Sequence, residues 1–146
     1  MMQKSQVLTL TCILFLLCVL LMSQTKPVSS SQNKLAASIE RGKKVYTERC
    51  LTCHQADGGG VQNMNPPLTK TKWVLGDKTQ LIQIVLKGLS TGVEIDGDSY
   101  HNVMASHADL SDLQIADVLT YVRNSFGNKA KAVTEDEVKT VRAKTK

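Results

Sequence analysis

The sequence predicts an all-α domain whose helices are joined by long loops, and three observations carry that expectation. Apolar side chains recur at helical spacing in separate stretches, most with a recognisable start or stop signal. No stretch alternates apolar and polar residues as a half-buried strand would, and Gly58-Gly59-Gly60 with Pro66-Pro67 interrupts regular structure between the first two helices.

The chain of 146 residues begins with an apolar stretch, Val7 to Met22, preceded by Lys4 and free of charge, Gly and Pro. That is short of the roughly 20 residues that span a bilayer and a little longer than the roughly 7 to 15 of a typical signal core. Residues 1–24 therefore read as a signal peptide or an N-terminal membrane anchor, and residues 25–34 as a polar linker. From Leu35 to Cys50, the residues Ile39, Gly42, Val45 and Tyr46 form one face of an amphipathic helix that ends at the cysteines.

Residues 55–75 form a long loop. Asp77 with Gln80 has the form of a helix cap, followed by Leu81, Ile82, Ile84, Val85 and Leu86 up to Gly88. Leu89 to Asp109 is again irregular. Ser111 with Gln114 opens a helix predicted to reach Phe126, with Gly127 beyond it; Leu113, Ala116, Leu119 or Tyr121, and Val122 are its expected buried face. Residues 129–146 form a basic tail, in which Thr134 with Glu137 and a Val133–Val138 staple predict one further short, marginal helix. The domain proper spans residues 35–128.

Composition narrows the function. Hydrophobic residues make up 42%, yet aromatics number only two Phe, one Trp and three Tyr, so a buried cofactor would fill space that aromatic side chains do not. The net charge is +5, but between Lys34 and Phe126 ten basic residues balance ten acidic ones, and no basic face interleaved with aromatics suits nucleic acid. Cys12 and Cys18 lie in the apolar run, which leaves Cys50 and Cys53 as one site. A disulfide closing so short a loop would constrain the chain little. A thioredoxin-like pair sits at a helix N-terminus after a strand, whereas this pair closes the C-terminal end of a helix. Zinc needs four ligands that Cys50, Cys53 and the three histidines supply poorly. Cys50-Leu51-Thr52-Cys53-His54 has the spacing for covalent haem attachment: two thiols for two vinyl groups, and an imidazole placed to reach the iron.

On this motif, the stretch from Leu35 to Phe126 resembles the small class I monohaem cytochrome c domain, with its helices and long loops around one haem c. The resemblance implies that Gly42 and Tyr46 pack on the last domain helix at Val118 and Tyr121. It further implies that the Pro66 carbonyl accepts the Nδ1 proton of iron-bound His54, and that Trp73 stands near the haem propionates. Met104 lies where the family places its sixth ligand, with His101 and His107 as substitutes three residues to either side. Met64 is too close to His54 to serve, and Ala105 follows Met104 where the family often has proline. The segment from Leu119 to Asn128, with Glu137, Val138 and Arg142, looks like bacterial domains that accompany quinoprotein dehydrogenases.

The expected function is therefore an exported, periplasmic, monomeric carrier of single electrons, not itself an enzyme. Its donor and acceptor would be redox proteins: a dehydrogenase, a quinol-oxidising complex or a terminal oxidase. The alternatives are a haem-binding subunit of a larger oxidoreductase, or a weak peroxidase if Met104 does not bind.

Overall fold

The computed structural model describes residues 29–145; the apolar segment read as a signal or anchor lies outside the described residues. Among the described residues, six helices and one small hairpin follow in order: α1 (Ser30–Arg49), α2 (Leu51–His54), α3 (Lys72–Leu75), α4 (Lys78–Lys87), β1 (Val93–Ile95), β2 (Asp98–Tyr100), α5 (Asp112–Asn124) and α6 (Glu135–Lys144).

Helix α1 starts at Ser30, five residues before the expected boundary, so the second half of the polar linker is helical. Its first turn is exposed and needs no apolar face, which is why periodicity did not reveal it. Further along, Gly42, Val45 and Tyr46 are buried, as their spacing predicted. Gly42 has a specific reason to lack a side chain, since a Cβ there would lie 2.0 Å from the Asp117 carbonyl oxygen of α5. The two helices approach backbone to backbone at that point. Beside it, Asp117 is buried and accepts from Arg41 at 2.6 and 2.8 Å and from the Ser38 hydroxyl at 2.6 Å. Tyr46, Tyr121 and Phe126 complete the crossing as a ring cluster with centroids 5.3 to 5.6 Å apart.

Helix α4 is capped as the sequence indicated, with the Asp77 side chain accepting from Gln80 N–H at 3.0 Å and Gly88 terminating it at φ 71°. Helix α5 carries the full Ser111–Gln114 capping box but ends at Asn124, two residues short of Phe126. Its buried face is Ile115, Ala116, Val118, Leu119 and Val122, whereas Leu113 is 42% exposed. Leu113 lies in the first turn of the helix, and its side of the helix is buried only further along, at Asp117 and Thr120.

Two features depart from the sequence expectation. Val93–Ile95 and Asp98–Tyr100 pair as an antiparallel hairpin through Asp96-Gly97, both at positive φ, the Asp-Gly turn that suits tight hairpins. Strands of three residues are too short for alternation to register in the sequence. The tail helix α6, expected to be marginal, is built in: Thr134 and Glu137 form their capping box, and Val138 and Val141 are buried with Val133 against α4 and α5. Buried polar groups stitch this half together, with Thr120 Oγ1 both donating to and accepting from the Val133 backbone at 3.1 and 3.0 Å. Arg123, buried, donates to the carbonyls of Val74, Gly76 and Lys131 and so closes the end of α3.

Candidate functional site

The Cys-x-x-Cys-His segment folds as a single helical turn set off from α1 by a kink at Cys50. Cys50 N–H still bonds the Tyr46 carbonyl at 2.9 Å, and Cys53 and His54 N–H then bond back to the Cys50 carbonyl at 3.2 and 2.9 Å. Cys50 and His54 stand four positions apart, about one helical turn, which brings both to the same cleft, while Cys53 stays exposed. Gln55, at φ 63°, ends the turn, and its carbonyl accepts from the Tyr46 hydroxyl at 2.7 Å. The packing of α1 on α5 is thereby linked to the motif.

His54 Nδ1 lies 3.0 Å from the Pro66 carbonyl oxygen. A carbonyl only accepts, so the proton of the neutral ring sits on Nδ1 and Nε2 keeps its lone pair. Burial lowers the His54 pKa below the ordinary 6.5, against the opposing Pro66 bond, which favours the neutral, ligand-competent imidazole. The loop that presents Pro66 is fastened by Leu68 N–H to Gly58 O at 2.7 Å and by Asn128, which accepts from Lys70 N–H and donates to the Leu68 and Val122 carbonyls.

Cys50 and His54 open onto a cleft of about 780 Å³, open mouth included. Its walls are almost wholly apolar, among them Trp73, Val85, Leu89, Ile95 and Leu119. Met104 and His107 line it too; Met64, 48% exposed, and His101 do not. Met104 is held by paired backbone hydrogen bonds with Leu89 at 2.9 and 3.0 Å. Gly88 permits this approach, because a Cβ there would lie 2.2 Å from the Met104 carbonyl oxygen. Just beyond, Ser106 Oγ donates to Leu86 O at 2.6 Å and His107 N–H to Val85 O at 2.9 Å, so the segment is laced along the end of α4.

The other chemistries considered for the thiols fare poorly here. Burial, with the neighbouring Cys53, pushes the Cys50 thiol up to about 11, opposite to the lowered pKa of a redox-active dithiol. Among the described residues, no group of three or more His, Cys, Asp or Glu side chains could hold a metal ion.

The sequence profile of the cytochrome c family matches residues 39–126. The chain belongs to the cytochrome c family. It is 36% identical over 119 residues to cytochrome c-552 of Thermus thermophilus, covering 75% of this chain and 80% of that protein. It is also 36% identical over 90 residues to the cytochrome c subunit of a quinone-dependent alcohol dehydrogenase from Gluconacetobacter polyoxogenes, covering 61% of this chain and 19% of the subunit. A third relative is the FixP subunit of a cbb3-type cytochrome c oxidase from Azorhizobium caulinodans, 28% identical over 102 residues, 68% of this chain and 33% of that subunit.

This cytochrome c is thus an electron-transfer protein with covalently bound haem c. The donor set suits that group: two free thiols, an imidazole with its tautomer set, a soft thioether, and apolar walls for a flat macrocycle. Sequence reasoning missed Asn128, Arg123 and Asp117, the buried polar residues that hold the surrounding loops and helices. Their partners are mostly distant backbone groups or residues far along the chain, so no local spacing marks them.

Proposed function

We propose that this cytochrome c shuttles single electrons outside the cytoplasm, with Cys50 and Cys53 as the thiols that would carry the haem and His54 and Met104 as the side chains that would hold its iron. The observation that carries this reading is that His54, its Nδ1 occupied by Pro66, and Met104 line one apolar cleft, from which Met64 and His101 are absent. Pro66 orients the imidazole and strengthens it as a donor. Trp73 borders both the cleft and a polar groove with Lys72, Glu94 and Asp96, which supports it as the residue that would stand beside the propionates.

Bound haem supplies one-electron exchange between ferrous and ferric iron. With His54 and Met104 both holding the iron, no position would be left open for oxygen, peroxide or a substrate, which supports a carrier rather than an enzyme. A thioether ligand favours the ferrous state and raises the potential relative to two imidazoles. The partners proposed are a periplasmic dehydrogenase or quinol-oxidising complex on one side and a terminal oxidase on the other, in keeping with relatives named as dehydrogenase and oxidase subunits. The same names support a second reading, in which this chain serves as the haem-bearing component of such an assembly. The apolar segment ahead of the domain supports export.

The ligand assignment is tested on the oxidised holoprotein. Met104→Leu abolishes the iron–sulfur charge-transfer band, and Met64→Leu leaves it intact. A wild-type magnetic circular dichroism spectrum of the two-imidazole type would instead hand the position to His107.

A further inference from the structure

We propose that the C-terminal helix α6 acts on the metal site through one side chain: Arg142 is a positioning residue that holds the Met104–Leu110 segment and thereby sets how firmly Met104 stays on the iron. The proposal rests on the assignment of Met104 made above.

The Arg142 guanidinium spends its donors on that segment and on the helix start that follows it. Nη1 donates to the Ala108 carbonyl at 2.9 Å, Nη2 to the Leu110 carbonyl at 2.7 Å, and Nε to Asp112 Oδ1 at 2.6 Å. The upstream half of the segment is fastened to α4 through Leu89, Leu86 and Val85, as described above. Arg142 holds the downstream half. Met104 is followed by Ala105, which leaves the backbone freer than a proline would.

The clamp is itself well founded. Val138 is fully buried and Val141 nearly so, which fixes the helix from which Arg142 projects. The Arg142 and Asp112 side chains are 31% and 23% exposed, so solvent screens their pairing only in part. A planar fork reaching three acceptors at fixed angles is a task that lysine cannot reproduce. At the other end of α6, Lys78 binds Glu137 and the Ala132 carbonyl. Among the described residues, that end makes no hydrogen bond to the Met104 segment, and it provides an internal control.

The experiment is a titration of the ferric full-length holoprotein with imidazole, which takes the iron only when Met104 has left. Its apparent affinity therefore scales with the fraction of molecules in that open state. Losing two charge-assisted hydrogen bonds to the segment should tighten apparent imidazole binding about tenfold in Arg142→Ala. Arg142→Lys recovers part of the difference, Lys78→Ala binds imidazole as the wild type does, and Arg142→Ala adds nothing in a Met104→Leu background. If Arg142→Ala lowers unfolding stability yet leaves imidazole affinity at the wild-type value, α6 is a strut and the proposal falls. It falls equally if Lys78→Ala tightens binding as much, since docking of α6 in general would then be responsible. Failure of the Met104 assignment is visible separately, as a charge-transfer band that survives Met104→Leu, and it overturns the proposal with it.

Discussion

Replacing Gly42 by alanine adds one methyl group where α1 meets α5, and the structure determines which of two opposed effects wins. In an ordinary helix interior the change would stabilise by about 1 kcal/mol through helix propensity. Here the new carbon would lie 2.0 Å from the Asp117 carbonyl oxygen, 2.5 Å from its carbon and 2.8 Å from Tyr121 Cβ, whereas ordinary contact begins near 3.4 Å. Two of those atoms are backbone, so no rotamer change relieves the overlap and a helix has to move. Overpacking of this kind costs roughly 1–3 kcal/mol, sometimes more.

Displacing α1 also draws Arg41 and Ser38 away from Asp117, whose side chain is only 5% exposed. An orphaned buried carboxylate adds about 1–3 kcal/mol, reduced because Arg41 itself is half exposed. We therefore expect a net loss of about 2–4 kcal/mol, read as a lower urea midpoint at unchanged slope for the holoprotein, with haem content verified. A Gly42→Ala protein as stable as the wild type, or more stable by the propensity increment, would refute the close approach of these helices.

Two further expectations follow. Burial raises the Glu137 carboxyl, but hydrogen bonds from Lys78 and Thr134 outweigh it and hold the pKa below the ordinary 4.5. A lowered folded pKa stabilises above 4.5 and loses that contribution as pH falls through the folded value. The stability gap between wild type and Glu137→Gln should thus be constant near neutrality and close under acid, in urea titrations across a pH series; a gap widening towards low pH would contradict the sign. For partner exchange, the balanced charge from Lys34 to Phe126 leaves only local clusters such as Lys43 with Lys44, or Lys70 with Lys72, to steer encounter. Stopped-flow rates with the native partner should change only a few-fold between low and physiological salt, whereas a drop of about a hundredfold would show that these clusters dominate recognition.

Much of this protein is legible from local spacing, because some constraints are themselves local. The Cys50–His54 motif places its reactive groups through one helical turn, and the caps at Asp77, Ser111 and Thr134 satisfy backbone donors within three residues. Gly42 and Tyr46 were readable as the small and aromatic members of a helix face. Spacing disfavoured Met64 and the family resemblance favoured Met104, but neither could show which of the candidate ligands reach the cleft. Met64, Met104, His101 and His107 are all chemically able to bind iron, and only the course of the chain carries Met104 and His107 into the cleft and leaves the other two outside. The same holds for the tail: its capping box foretold a short helix, but its worth depends on Val138 meeting a core built by α4 and α5 and on Arg142 reaching carbonyls of a distant loop. Hydrogen bonds within a turn are specified by neighbours in sequence, whereas burial and long-range pairing exist only once the chain has closed on itself, and the helix propensity of ten polar-rich residues alone would not have held α6 in place.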